Sequence, residues 1–538
     1  MVETLIQIIH PCTDPRIPAP MVAMNLASTQ GGLNPSSGTS SDVYCITGVD
    51  PEVQAYAMAR YSRSSLSMTK SLLELSKQRA EQFLNTFYFQ YGHRSIADLA
   101  HLTFAIEQLS MLAAIAVVDE QRWDGQERSS RYQDFKKSGF YTPPIAGAER
   151  QQYLEIIEGL FSQYEELSGA AFRFLADRTP RPSSMTEDAF RRTLRARAFD
   201  IARYLLPLAT NTSLGQIINA RTLENQIARL GSDRHPEIRL LAERLKQSAK
   251  EPPLDFRLGQ IREIVEQMRE VCSIDQLQLI DSLLQPEPVA PTLVKYAEPR
   301  EYDTERKREL SAAATELLDN VPIQSVDRVT LVRPPHIEVE LAATLLYEHS
   351  HHPYTQIVDL VSGLPRHQRN EIIGLGLKSR RSHDEVSRAF AAGSGFQFDI
   401  LMDIGGFRDM HRHRRCIQIH QDYTAVHGYE MPDQLAEIGF EDTFKAYLER
   451  AAGYWHKMHD KVDYADYVLP LAFRRRALFK MDLAEVIYIS ELRSKPAGHM
   501  SYRRIAYDMF QAVAQDVPSI KDYTKVHSPS ESTGLLDR

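Results

Sequence analysis

The sequence predicts an α+β fold repeated twice along one chain, each copy a small sheet flanked by long helices. Two observations predict the repetition. Val53, Ala57, Tyr61 and Ser64 recur with the same spacing as Val339, Ala343, Tyr347 and Ser350, each set following a proline. Later, Ala202-Arg-Tyr-Leu-Leu-Pro-Leu-Ala209 is matched by Ala465-Asp-Tyr-Val-Leu-Pro-Leu-Ala472, in the same order. A third observation separates the copies: Pro286, Pro288, Pro291 and Pro299 crowd one short stretch, the signature of a break in regular structure. The interval from Val53 to Ala202 exceeds that from Val339 to Ala465, so the first copy is expected to carry the longer insertions.

Residues 1–42 are rich in Pro, Gly, Ser and Thr and are expected to be disordered. Val43 to Thr47 reads as a strand, and a helix follows Pro51. Leu72 to Phe89 and Leu99 to Val118 read as helices. Ser213 and Gln216 have capping-box spacing, which predicts a helix from there to Leu230 along Leu214, Ile217, Ile218, Ile227 and Leu230. The expected division is a first domain over 43–285, a linker over 286–309, a second domain over 310–523 and a flexible tail over 524–538.

The 538 residues are 43% hydrophobic and 25% charged, ordinary for a globular protein, and the net charge is -8. That balance does not predict a nucleic-acid partner, so any anion site must be a local cluster of arginines. Cys12, Cys45, Cys272 and Cys416 are scattered without a CxxC pair, which fits a reducing, cytoplasmic setting and no structural zinc. The longest apolar run, Leu109 to Val118, is too short to span a bilayer, so no membrane association is expected. No basic stretch followed by an apolar core opens the chain, so no secretory leader is expected either.

The chemistry-bearing cluster is Arg408, Arg412, His413, Arg414 and Arg415. So many cations in one short stretch repel one another. An anion among them relieves that, and guanidinium forks suit phosphates and imide carbonyls. From charge alone, a solvated basic face is the simpler reading. A metal set of His411, His413 and His420 is a third, disfavoured because two residues of separation do not share a helix face. His349-Ser350-His351-His352 reads as a polar loop.

Arg408-x-x-x-Arg412-His413-Arg414 resembles the Arg-Gln-Trp-x-Arg-His-Arg core of the flavin-dependent thymidylate synthases. Gly92 to Asp98 with Thr103-Phe104, and Glu127-x-Ser129-x-Arg131-Tyr132, resemble two further stretches of that family. So do Ala202-Arg203 with Pro207, Asn219-Ala220-Arg221, and Leu492-Arg493. The resemblance implies FAD as cofactor, a dUMP-like pyrimidine nucleotide as substrate, and methylenetetrahydrofolate and NADPH as co-substrates. It also implies sites shared between subunits of a homotetramer, which two fused chains would rebuild as a homodimer. On this resemblance Arg412, His413 and Arg414 are catalytic and hold the flavin with Asn219, Arg221 and Glu127. Ser129, Arg131, Arg203, Arg408 and Arg493 hold the nucleotide.

The departures from the family pattern are complementary. In the first copy, Asp119-Glu120-Gln121 stands where Arg-His-Arg is expected, and the family's following Ser is Asp124 there and Ile417 in the second copy. In the second copy, Asp466 stands where the first has Arg203, and Asp482-Leu483-Ala484 where it has Asn219-Ala220-Arg221. One composite site kept and one lost would produce this pattern. A decayed enzyme retained as a non-catalytic flavin- or nucleotide-binding scaffold would also produce it.

Overall fold

Leu102, Phe104 and Ile106 are buried between exposed neighbours, and that two-residue period makes His101–Ser110 a strand, β1. The computed structural model describes residues 48–60, 68, 72, 94–267, 273–284, 288–318, 320–332, 336–379, 387–390, 395–516, 521 and 524–530. The helix expected over Leu99 to Val118 is therefore wrong in its first half. The chain leaves β1 directly into the helix Met111–Val118, capped by the Ser110 side chain on the N–H of Ala113. An alternating strand running straight into an all-apolar helix has no polar break to mark the boundary.

The first sheet is completed by β2, Asp124–Glu127, and β3, Asn211–Asn219, in the order β1-β3-β2 with antiparallel pairing throughout. β3 corrects a second expectation: Ser213 and Gln216 do not cap a helix. Thr212, Leu214, Gln216 and Ile218 are buried in alternation, and the helix begins only at Ala220, capped by Asn219. β1 carries a bulge between Glu107 and Leu109, where Gln108 sits at a φ of 58°.

The second sheet has the same plan. β4, Val329–Val332, pairs with β5, Phe396–Asp403; β5 pairs with β7, Arg474–Met481; and β7 pairs with β6, Ile417–His420, giving β4-β5-β7-β6. Asp403 ends β5 and caps the helix Ile404–Met410, as Ser110 does in the first copy. Asp482 follows β7 and caps Leu483–Arg493, as Asn219 does after β3.

The two Leu-Pro-Leu-Ala segments meet. Leu208 donates its N–H to the Leu469 carbonyl at 2.9 Å, and Leu471 donates to Leu206 at 2.9 Å. Ala209 donates to Tyr467 and Ala472 to Tyr204, with Pro207 opposite Pro470. Exchanging the copies maps each bond onto another, which is the self-complementary pattern of a two-fold interface, here inside one chain.

Between β2 and its Leu-Pro-Leu segment the first copy has two long helices, Gly147–Arg178 and Glu187–Ala202, where the second has one, Glu441–Met458, after the short Leu435–Ile438. Tyr153, Ile156, Ile157, Leu160, Tyr164 and Leu167 give the longer one its buried stripe. The expected linker is part helix: Glu301–Leu318 starts within it, after Pro299, with Glu301 and Asp303 in the first turn favoured by the helix dipole. The expected strand over 43–47, the helix over 72–89 and the N-terminal disorder fall outside the described residues.

The chain divides into two units. Residues 101–246 and 294–538 form the larger, which contains both sheets. Residues 1–100 and 247–293 form the smaller. In the smaller unit, Val265, Ile280 and Leu284 cluster, and Glu52 accepts hydrogen bonds of 2.7 Å from the N–H groups of Thr292 and Leu293. Among the described residues, no helix is long and apolar enough to cross a membrane.

Candidate functional site

The Arg412-His413-Arg414 turn follows the helix Ile404–Met410 and opens onto a cleft of about 760 Å³. The cleft is walled by both copies: Trp123, Asp124 and Asn219 from the first, and Arg412, Arg414 and Arg493 from the second. Arg412 and Arg415 are exposed, and Arg415 pairs with Asp482 at 2.9 Å. Arg414 lies 5.3 Å from the Trp123 ring and 3.0 Å from Asp124.

His413 is buried, which pushes its pKa down against the pull of Glu485, so the ring is neutral near pH 7. Its Nε2 accepts a 2.7 Å hydrogen bond from Nε of Arg493, so the ring proton is on Nδ1, 3.7 Å from Glu485. His413 thereby fixes Arg493 on the cleft wall rather than adding charge of its own.

A buried network joins this turn to the first copy. Arg203, only 2% exposed, donates to Asp409 at 3.2 Å. Arg131 makes a two-pronged pair with Asp200, at 2.7 and 3.1 Å, and donates to the Tyr502 hydroxyl at 2.7 Å. Burial pushes the Asp409 carboxyl up, but Arg203, Arg412, Arg131 and Arg493 outweigh it and hold the pKa down to about 2. The Arg203 guanidinium keeps two buried nitrogens, Nε and Nη2, without hydrogen-bond partners. It lies close over Gly405, where a Cβ would stand 3.4 Å from Nη2. Glu127 reaches across to pair with Arg408, both nearly buried, and Arg408 also contacts Met111 Sδ at 3.2 Å.

The family described as Thymidylate synthase complementing protein matches residues 46–252 and 334–519, well over half the chain. The chain belongs to this family. The two matched segments make it a tandem, diverged member, related to the flavin-dependent thymidylate synthases. A UPF0159 protein of Chlamydia muridarum is 28% identical over 91% of this chain and 93% of its own length. A flavin-dependent thymidylate synthase of Clostridium tetani is 25% identical over 33% of this chain and 68% of its own. A structure of the flavin-dependent thymidylate synthase of Helicobacter pylori, complexed with FAD and dUMP, aligns at 19% identity with a TM-score of 0.24. It covers 37% of this chain and 89% of that one.

In this family member, the residues singled out from sequence fall into three places. Asn219, Arg412, His413, Arg414 and Arg493 share the cleft. Arg131, Arg203, Glu127 and Arg408 lie in the buried ion pairs, and Ser129 accepts from the Arg131 N–H at 3.3 Å. Arg221 is not on this cleft; it lines a second one with Asp119 and Glu120. The histidines of the metal alternative also part company. His411 and His420 lie edge to face at 6.0 Å beside Asp119, while His413 faces Glu485.

Sequence reasoning missed Asp409, Asp200, Glu485, Trp123 and Tyr502. One had a signal: Asp409 stands at the Gln of the family's Arg-Gln-Trp, so a carboxylate enters where a neutral amide is usual. The others carry no local mark, because nothing near Tyr502 in sequence indicates that it meets Arg131.

Proposed function

We propose that this protein is an FAD-dependent enzyme acting on C5 of a pyrimidine nucleotide, most simply the reductive methylation of dUMP to dTMP. The observation that carries the reading is the joining of the copies at Asp409. Arg203 of the first copy and Arg412 and Arg493 of the second act on this one carboxylate, next to a cleft both copies wall.

The side chains suit a flavin dinucleotide. Arg412 and Arg414 offer charge-assisted donors to a pyrophosphate, and Trp123, Tyr488 and the half-exposed Ile217 offer apolar faces to rings. Bound there, the flavin would pass reducing equivalents from NADPH to the methylene group taken from methylenetetrahydrofolate. The chain's part is positional. Arg493, fixed by His413, would hold the nucleotide phosphate with Arg412. Arg131, fixed by Asp200 and Tyr502, and Arg203, fixed by Asp409, supply positive potential where charge develops on the uracil carbonyls. Asn219 keeps its proposed place toward the flavin, while Arg221, on the second cleft, and Glu127, paired with Arg408, would reach it only by a change of position. Two chains forming a homodimer in the cytoplasm, with domains at 43–285 and 310–523, complete the reading.

A non-catalytic, nucleotide-binding scaffold is favoured by one observation: Arg203 already has a protein carboxylate as its anion. The two readings separate on purified protein. The enzyme reading expects flavin absorbance, or its restoration with FAD, and tritium release from C5-labelled dUMP when methylenetetrahydrofolate and NADPH are supplied. A colourless protein that FAD does not reconstitute supports the scaffold. Bound flavin without tritium release rejects dTMP formation.

A further inference from the structure

Exchanging the two copies carries the first cleft onto a second one, of about 1050 Å³, in the same unit. Asp119, Glu120, Thr222, Asn225 and Arg229 line it where Arg412, His413, Glu485, Tyr488 and Leu492 line the first. The motif cations are gone, yet the cleft has not become acidic. Other arginines have entered it. Arg388 pairs with Asp119, Arg229 with Glu120 at 2.7 Å, and Arg234 with Asp466, the residue standing in place of Arg203. Where the first cleft neutralises a buried base with an acid, the second neutralises a buried acid with a base.

One further arginine on this cleft, Arg475, is not neutralised in that way, and a second, Arg306, keeps unpartnered N–H groups beside its acid. Arg475 is 1% exposed, and no ion pair to it is recorded among the described residues. Its guanidinium lies 4.5 Å from the Phe407 ring and 4.3 Å from the Tyr423 ring. Nη2 donates to Nδ1 of His420 and to the Gln421 carbonyl, both uncharged acceptors, and Nε and Nη1 have no hydrogen-bond partner. Arg306 is 5% exposed and forms an ion pair with Glu348 at 3.6 Å, yet its Nε and Nη1 have no hydrogen-bond partner. Burial lowers the pKa of His349 and His420, so both rings are neutral near pH 7 and the positive charge here is the arginines' own. A buried guanidinium without a counter-charge, as at Arg475, is destabilising, and orphaned N–H groups, as at both arginines, add to the cost. Strict loss of function predicts apolar replacement at such positions. The chain keeps two, on separate elements, facing one cavity of the size that holds nucleotide-like molecules.

The geometry points to a second, rebuilt ligand site in this cleft, which takes a small molecule bearing a phosphate or diphosphate group on Arg306, Lys307 and Arg475. This site does not depend on the first cleft's chemistry. Its three cations are not on that cleft, although Gln121 and Arg122 line both, and its ligand need not be a pyrimidine.

The test is calorimetric titration of the full chain with inorganic phosphate and, separately, inorganic pyrophosphate. It is run in an Arg412→Ala/Arg414→Ala/Arg493→Ala background, which removes the first cleft's proposed phosphate donors. One bound anion per chain is expected, weakening as salt rises. Tighter pyrophosphate binding assigns the site a diphosphate; equal affinities assign it a single phosphate group. Arg306→Gln and Lys307→Ala should each weaken binding by about ten-fold, the scale of a charge-assisted contact. Lys307 is only half-buried, so its replacement tests the site even if Arg475→Lys or Arg306→Gln fails to fold. No titratable binding at millimolar anion, or binding unchanged in the Lys307 variant, overturns the proposal.

Discussion

Replacing Asp409 with Asn removes a charge and almost nothing else. Arg203 is 2% exposed and, among the described residues, its side chain has one carboxylate within ion-pair distance, Asp409, itself 15% exposed. Breaking a pair at this depth leaves a buried, unmatched guanidinium, which costs about 3 kcal/mol. Arg131, Arg412 and Arg493 also act on the same carboxylate, so their mutual repulsion adds to the loss. The deficit has a chemical signature: an external oxyanion should replace the lost charge. At a phosphate concentration ten times its dissociation constant, about 1.4 kcal/mol should return. Urea denaturation with and without phosphate measures both numbers. A control is Asp124→Asn, whose partner Arg414 is partly exposed and whose own side chain is 84% exposed; it should cost less than about 1 kcal/mol and be indifferent to phosphate. Equal stability of Asp409→Asn and wild type, or a loss that phosphate does not reduce, would refute the reasoning that Asp409 is the internal anion of this cluster.

Three further outcomes follow from other parts of the molecule. Gly406→Ala should destabilise by about 1–3 kcal/mol, because its Cβ would lie 2.5 Å from Ser501 Oγ, which is held on Asp403; thermal denaturation reads this. His235 is buried, which lowers its pKa, but hydrogen bonds to Asp233 and Asp466 raise it to about 9. Raised above the unfolded value of about 6.5, its contribution is full below that pH and fades as pH rises through about 9. Wild type should lose on the order of 2–3 kcal/mol relative to His235→Asn across this window, and parallel stability curves would show the imidazolium has no such role. Arg414→Ala should weaken FAD binding by roughly ten-fold while leaving the unfolding midpoint unchanged, as expected for a side chain 26% exposed that meets one exposed acid. An intact flavin affinity would remove Arg414 from the site.

Much of the architecture is legible in the sequence, and the failures have physical causes. The duplication shows in Leu-Pro-Leu-Ala, a segment whose backbone pairs with its own counterpart. The helix–strand errors arise where a strand feeds directly into a helix. β1 and Met111–Val118 form one apolar run, and β3 meets its helix at Asn219, so a chance capping spacing at Ser213 and Gln216 outweighed the true cap. The Arg412-His413-Arg414 turn is legible because its charge density is local. The buried partners are not, since Asp200, Glu485 and Tyr502 acquire meaning only when elements distant in sequence converge. Arg221 illustrates the limit of motif transfer. Asn219-Ala220-Arg221 resembles the family motif, but the Arg221 side chain lines the other cleft, where Asp119 and Glu120 supply negative charge.

The account stands on cooperation between the two copies at one ligand, and a double-mutant cycle on FAD binding in the presence of dUMP measures that cooperation. Arg412→Ala and Arg203→Lys, each checked for intact secondary structure, are titrated alone and combined. Mutual dependence predicts that each change weakens the ternary complex and that the pair together loses less than the two single losses summed. If the lysine variant binds FAD and dUMP like wild type, or the losses simply add, the copies do not share a site.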